Sequence, residues 1–186
     1  MWEVSIITFV MFGVMRLLLG VPTVSRILFS HTYFCELNAV AQNGWRNHFM
    51  CMIHGLLTYI GSVHTLMVYM PRYAWSIESL VDSMKTTKGD WPMACFWLEV
   101  TCGYFVYDTM VLLFDRANTK KVDFAHHVIC GLAMGTSRAY EWANVLPMLL
   151  MTNEVSTVFM HISFFMRQQE KTAKCRAHRV IQVLFV

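Results

Sequence analysis

Long apolar stretches, separated by short charged segments, set the pattern of this chain. A helix needs about 20 mostly apolar residues to cross the hydrocarbon core of a bilayer. Two stretches of 25 residues, between Arg46 and Arg72 and between Glu141 and Arg167, meet this requirement; the first has no acidic or basic residue and the second has one, Glu154. Each of the two stretches predicts a membrane-spanning helix.

Three further stretches predict spans, over residues 3–26, 93–114 and 124–140. Arg16 lies near the end of the first, where a long side chain can reach the membrane interface. A cleaved signal peptide is the alternative for this stretch, but it lacks a basic n-region and a clear small-x-small cleavage site. The stretch over residues 124–140 is short, which allows a tilted or re-entrant helix. Numbered in chain order, the five predicted spans begin with residues 3–26, and residues 124–140 form the fourth.

The last seven residues, 180–186, are apolar and follow a basic segment, as at the beginning of another helix. Either the sequence is a fragment or truncated isoform, or this tail only touches the interface. The pattern therefore predicts an all-α, multi-pass transmembrane helical bundle with about five spans plus the start of a sixth. We divide it into residues 1–42, the first transmembrane helix and a cytosolic loop, and a domain over residues 43–186.

Composition agrees with a membrane protein. Hydrophobic residues make up 56% of the chain and charged residues 15%, against about 25% charged in a soluble domain. The formal net charge of +3 is too small and too dispersed for a nucleic-acid-binding surface. The six cysteines form no disulfide or zinc-ribbon pattern, so the thiols within apolar stretches are expected to be small core residues.

Loop charges predict the orientation, because cytoplasmic loops carry an excess of Lys and Arg. The intervals after the first, third and fifth predicted spans contain ten basic residues, and the other intervals contain four. The richer set is Arg26, Arg46, Arg116, Lys120, Lys121, Arg167, Lys171, Lys174, Arg176 and Arg179; the poorer set is Arg72, Lys85, Lys88 and Arg138. We expect the N-terminus on the lumenal or exoplasmic side.

Polar residues inside the predicted spans indicate which faces are shielded from lipid, since such groups are costly in hydrocarbon. On the second span a stripe at helical spacing runs from His54 through Thr58 and Gly61 to Thr65, and Gly61 would allow a close approach. His64 lies about 80° from this stripe and would line the same cavity from its edge.

The third span carries two acids that cannot point into one narrow pocket. Glu99 shares a face with Gly103 and Tyr107, whereas Asp108 lies half a turn away. We expect partial hydration of Glu99 near the exoplasmic end. Asp108 is then the functional candidate, unless it serves only as a hydrogen bond between helices.

The fourth and fifth spans add histidines and an acid. His126 and His127 diverge by about 100° on a helix, so one can face a cavity while the other bonds a neighbour. The polar side chains of these spans are predicted to converge on one polar cavity for catalysis, head-group binding or transport. The alternative is that they serve only in helix packing. Its predicted residues are His54, Tyr107, Asp108, His126, His127, Asn153, Glu154 and His161, of which His126, His127 and Asp108 are the catalytic candidates.

Several other chemistries lack their motifs. The sequence has no spacing typical of a tetrahedral zinc site or of a Glu-x-x-His di-iron bundle. It also has no G-x-S-x-G elbow, P-loop or dinucleotide-binding fingerprint. We therefore predict no metal and no cofactor.

Several short motifs occur in a specific order over residues 43–186. They are Trp45-Arg46, His54-Gly55, the Gly-Tyr-Phe-Val-Tyr-Asp of residues 103–108, His126-His127, Asn153-Glu154-Val155-Ser156 and a Phe-Phe-Met-Arg that ends at Arg167. In these motifs the chain resembles the TLC-domain family, which includes the ceramide synthases, and it looks most like the small members of types four and five. The resemblance implies about six helices around a lipid-accessible cavity, in the endoplasmic reticulum or another cellular membrane.

In the synthase branch the resemblance implies a longer motif, in which aspartates downstream of the paired histidines take part in acyl transfer. No Asp follows His127 here; the acids that remain are Glu141, Glu154 and Glu170. We therefore expect a protein that binds or senses membrane lipid and influences membrane lipid composition. The alternatives are an acyl-CoA-dependent acyltransferase, with a His as general base, and a transporter or cargo-escort protein.

Overall fold

The computed structural model describes residues 2–29, 37–69, 78, 91–115, 117, 119–140, 145–168 and 176–185. Its regular elements are α-helices, and none of the residues in these ranges forms a strand. In chain order they are α1 (Glu3–Gly20), α2 (Pro22–Leu28), α3 (Ala39–Tyr69), α4 (Pro92–Phe114), α5 (Lys121–Tyr140), α6 (Val145–Thr152), α7 (Glu154–Gln168) and α8 (Arg176–Phe185). The predicted all-α class is confirmed.

Three of these helices, α1, α3 and α4, are long and apolar enough to cross a membrane by length and composition. They correspond to the first three predicted spans. The fourth predicted span is α5, which has 20 residues but is more polar. The fifth is divided between two shorter helices, α6 and α7.

The single helix predicted over residues 3–26 is wrong, because Pro22 interrupts it. Proline fits the first turn of a helix, where its missing N–H has no intrahelical partner, but it disfavours a helical conformation in the residue before it. Val21 is accordingly extended, with φ −71° and ψ 122°. The chain therefore ends α1 at Gly20 and begins α2 at Pro22.

The fifth predicted span is likewise not one helix, because the chain turns at Asn153. The backbone N–H of Asn153 bonds the carbonyl of Leu150 at 3.0 Å, and the Thr152 hydroxyl donates to the carbonyl of Leu149 at 2.6 Å. Thr and Asn side chains offer the backbone alternatives to the helical ladder. As a result, Glu154 opens a new helix instead of lying inside a long one.

Two helices begin earlier than predicted. α5 begins at Lys121, three residues before the predicted Phe124, and the segment predicted from Val180 begins at Arg176 as α8. Arg138, which the sequence pattern placed in a loop, lies in the last turn of α5 and is only 5% exposed. That position changes its role, as described below.

The predicted polar stripe of α3 is confirmed as a shielded face. His54, Thr58, Gly61 and Thr65 are all buried, and the Thr65 hydroxyl donates to the carbonyl of Gly61 at 2.7 Å. Gly61 does permit a close approach, since a Cβ there would collide with the indole of Trp97. The edge position predicted for His64 is wrong, because that residue is exposed.

The chain divides into two compact units. The first comprises Met1–Val10 and Leu57–Glu154. Within it, α4 is buried over about half of its residues, and its first turn is fixed by Trp91, whose ring is fully buried and stacks on Tyr69 with centroids 4.7 Å apart. α4 packs against α5 in antiparallel fashion, which positions the charged side chains of both helices.

The second unit comprises Met11–Leu56 and Val155–Val186. Aromatic rings form its core, with Trp45 edge-on to Phe29 and tilted against Phe165. Arg16 of α1 is bound to α3, and its predicted position at the membrane interface stays a prediction. Its guanidinium donates to the side-chain oxygens of Asn43, at 2.6 Å, and of Asn47, both on α3.

Candidate functional site

The α4–α5 interface brings Asp108 and His127 together. The Nδ1 atom of His127 lies 2.9 Å from the Oδ2 atom of Asp108, and the two side chains are 16% and 4% exposed. Although this distance suits a hydrogen bond, the ring N–H does not point along it. The contact is therefore electrostatic.

Aromatic rings surround this pair. The ring of Phe105 meets the His127 imidazole edge-on at 5.3 Å between centroids, and that of Tyr104 lies at 6.5 Å. Tyr107, beside Asp108 in the sequence, is buried and packs edge-on against Phe9 at 6.3 Å. Such surroundings exclude water and strengthen charge interactions, because the local dielectric constant is low.

Asp108 and His127 form a carboxylate–imidazole pair. A carboxylate beside Nδ1 favours the tautomer with the proton on that nitrogen, which leaves Nε2 as an acceptor. The imidazole is the more exposed member. The pair can therefore accept a hydrogen bond or take up a proton through His127, with Asp108 behind it.

His126 takes a different position from His127. It is exposed, and both of its ring nitrogens lie near the Sγ atom of Cys130, one turn further along α5, at 3.6 and 3.7 Å. The two imidazoles diverge as their adjacent positions on a helix require. Only His127 lies in the α4–α5 interface.

Asn153 and Glu154 lie at the junction of α6 and α7. Asn153 is exposed in the turn, and Glu154 is partly exposed at the first position of α7. Glu154 acts electrostatically on Cys130 of α5. The structure therefore relates Glu154 to the His126 side of α5, and it does not enclose Asn153.

His54 and His161 belong to the second unit, whereas the other six predicted residues belong to the first. Both are buried, and His54 meets the ring of Phe12 edge-on at 6.2 Å. The Nδ1 atom of His161 lies 2.7 Å from that of His48, which stacks on Phe164 at 3.6 Å between centroids. His48 could not be predicted from the sequence, because its spacing on α3 carries no signal of its own.

A second charged pair, Glu99 and Arg138, was also missed. The Nε and Nη2 atoms of Arg138 lie 2.7 and 2.5 Å from the Oε1 atom of Glu99. The expected hydration of Glu99 is wrong, because this residue is only 5% exposed. The spacing held a usable signal: Asp108 follows Glu99 by nine positions and Arg138 follows His127 by eleven, which fits two contacts along an antiparallel helix pair.

Within the described ranges, no group of three or more His, Cys, Asp or Glu side chains is placed to hold a metal ion. The described cysteines, Cys51, Cys95, Cys102 and Cys130, are free thiols.

Comparison with known proteins adds one finding. The family model of the TLC domain matches residues 44–186, a range that includes α4, α5 and both charged pairs. The search of the curated proteins gave no match, and neither did the search of the solved structures. The predicted domain boundary at residue 43 stays a prediction.

Proposed function

Because the chain belongs to the TLC domain family of membrane proteins, which is linked to lipid metabolism, we propose that it binds or senses a membrane lipid through the Asp108–His127 pair and thereby influences membrane lipid composition. The observation that carries this proposal is the 2.9 Å approach of an acid and an imidazole inside an apolar helix pair. Ionisable residues at membrane depth are costly, and they typically mark a binding or transport site.

The chemistry of the pair restricts the class of lipid. Asp108 is buried and, when ionised, repels a phosphate oxygen, whereas the imidazole of His127 accepts a hydrogen bond from a hydroxyl, an amide or an amine. The proposed ligand is therefore a lipid whose polar group donates hydrogen bonds. Its apolar chains would lie along the exposed apolar side chains of the same helices, including Phe96, Val106, Ile129 and Leu132.

Photo-crosslinking tests this proposal. Cells expressing the full chain are labelled with photoactivatable lipids that carry a free hydroxyl or amine, and the labelled protein is quantified. We expect His127→Ala and Asp108→Leu to lower labelling by about tenfold, since each removes a polar interaction worth about 1.5 kcal/mol at this depth. His126→Ala is expected to have a smaller effect, because His126 is exposed outside the interface.

His64→Ala is the matched control, because His64 is an exposed histidine on α3. Its labelling should equal that of the wild-type chain at equal expression. Equal labelling of the His127 and Asp108 variants as well would contradict the proposal, whatever the lipid composition of the cells.

An acyltransferase is the second candidate, and the Asp108–His127 contact also favours it. A carboxylate that orients an imidazole prepares its other nitrogen to act as general base toward an attacking amine or hydroxyl. The protein would then bind acyl-CoA in addition to membrane lipids. Release of CoA thiol by the purified protein in the presence of an acyl-CoA and an amine or hydroxyl acceptor, and its loss in His127→Ala, would favour this activity over binding alone.

We also propose how the chain is oriented in the membrane and in which cellular membrane it lies. We place the N-terminus on the lumenal or exoplasmic side and the protein in the endoplasmic reticulum, among small TLC-domain proteins of types four and five. A glycosylation acceptor inserted within residues 71–92 should then be modified, and one inserted within residues 115–120 should not. Modification of the second acceptor alone would reverse the orientation.

A further inference from the structure

The Glu99–Arg138 pair is the second buried ionic contact between α4 and α5. The side chains of Arg138 and Glu99 are 6% and 7% exposed, and both guanidinium contacts of Arg138 converge on a single carboxylate oxygen. The pair also touches the first turn of α1 and the residue before it. The Ser5 hydroxyl donates to the carbonyl of Glu99 at 2.8 Å, and the ring of Trp2 lies 5.9 Å from the Arg138 guanidinium carbon.

α5 is poorly suited to enter a bilayer alone. It has 20 residues, yet it is not among the helices that are apolar enough to span. Arg138 is buried in the last turn of α5, and a charge buried inside a membrane segment is costly unless it is paired. The helix carries Lys121, Asp123, His126, His127 and Arg138, so its stability at membrane depth depends on a partner.

α4 supplies that partner along one continuous face. Between the two charged pairs, Gly131 and Gly135 of α5 pack on α4. A Cβ added at Gly131 would lie 3.3 Å from the Cβ of Phe105, and one added at Gly135 would lie 4.0 Å from the Sγ of Cys102. Glycines four residues apart allow membrane helices to approach closely. The two acids of α4 are about 14 Å apart along the helix, so a slip of one turn would separate both pairs.

We infer that Glu99 is the membrane-depth counter-ion of Arg138 and that this pair makes α5 a dependent segment, stable only when it packs against α4. The Glu99–Arg138 pair also sets the register in which His127 meets Asp108. The pair thus acts through the register, as positioning residues. The part of the inference that concerns His127 rests on the proposed function, whereas the dependence of α5 on Glu99 does not.

The two partners are not equivalent, which makes the inference testable. A carboxyl group left alone in an apolar site can take up a proton and become neutral. An arginine cannot, because the guanidinium group keeps its proton in proteins. Loss of Glu99 therefore removes the counter-ion of a permanent charge, whereas loss of Arg138 leaves a carboxyl group that can be neutralised. Loss of both leaves no charge at all.

A disulfide between α4 and α5 measures the register in the full chain. Gly135→Cys places a thiol opposite the native Cys102, and mild oxidation of membranes should join them. Mass spectrometry of the joined peptide gives the yield. This variant is the reference for all the others, and joining of residue 135 to another cysteine in place of Cys102 would overturn the inferred register.

In this reference background, we expect Glu99→Gln to lower the disulfide yield by about tenfold, because Arg138 loses its counter-ion at membrane depth. Arg138→Met should lower it much less, and the Glu99→Gln/Arg138→Met double variant should recover the reference yield. Arg138→Lys, which keeps the positive charge, should retain it. Glu3→Gln, which removes an exposed acid from the same unit, is the matched control and should change nothing.

Two results would overturn the inference: an unchanged yield in Glu99→Gln, or a double variant no better than Glu99→Gln alone. Lipid photolabelling of the same variants, without Gly135→Cys, separates this inference from the proposed function. If wild-type labelling does not depend on His127, the proposed function fails, and the disulfide yields still decide the role of Glu99. If it does depend on His127, labelling should fall in Glu99→Gln and recover in the double variant.

Discussion

Replacing Gly103 with leucine is expected to lower the free energy of unfolding of the first unit by about 3 kcal/mol or more. A Cβ at this position would collide with the backbone carbonyl oxygen of Ser5 and would lie 2.9 Å from the Cβ of Thr8. A backbone carbonyl cannot rotate away as a flexible side chain can. Residues 5–8 of α1 would therefore have to move off α4, which would also break the bond from Ser5 to the Glu99 carbonyl.

Helix propensity predicts the opposite sign. Glycine inside a helix is less favourable than alanine or leucine by up to about 1 kcal/mol. Gly13 on α1 isolates this contribution, because a Cβ there would meet nothing within 4 Å. Gly13→Leu should therefore leave the stability unchanged or raise it slightly.

Heating the purified proteins in detergent and following the loss of folded protein would compare the two variants. The expected order is Gly13→Leu at or above the wild-type midpoint temperature, with Gly103→Leu well below it. Equal midpoints for the two variants would show that α1 does not pack on Gly103 as described.

The predictions that succeeded rest on local periodicity. The stripe from His54 to Thr65 could be read from spacing alone, because residues four apart share a helix face and polar groups avoid lipid. The same reasoning selected Asp108, His126 and His127 as catalytic candidates; the structure brings Asp108 and His127 within 2.9 Å, and their function stays a prediction. It could not select His127 over His126, since that choice depends on which face of α5 packs on α4.

The misplaced helix ends have local causes that window hydropathy ignores. The apolar character of residues 3–26 is nearly uniform across Pro22, so a hydropathy window sees one span where the backbone must break. Asn153 lies in an equally apolar window, and the capping tendency of Asn and Thr decided the outcome there. Turn chemistry, read before hydropathy, would have found both breaks.

Charged residues were misread for a different reason. Windows bounded by charged residues place Arg138 in a loop, and hydropathy alone assigns no partner to Arg16 inside the first window. Both are instead bound to polar partners on another helix. Partner choice is a tertiary property, and it could be inferred only after the antiparallel pairing of α4 and α5 was known.

Arg16 supplies the second large expected effect, within the second unit. Its planar guanidinium donates to the side-chain oxygens of Asn43 and Asn47, which are four residues apart and so share a face of α3. Hydrogen bonds to a charged group are worth about 1.5–3 kcal/mol each. Replacing both amides in Asn43→Leu/Asn47→Leu is expected to lower the free energy of unfolding by about 3 kcal/mol.

The cost arises from the stranded guanidinium and not from the lost amides themselves, because arginine stays charged and cannot shed its proton. Removing the charge should therefore rescue the variant: Arg16→Met in the Asn43→Leu/Asn47→Leu background should recover most of the lost stability. Denaturation of the three proteins in detergent would measure this. If the triple variant were no more stable than the double variant, the amides would act through other contacts on α3, and Arg16 would reach water without them.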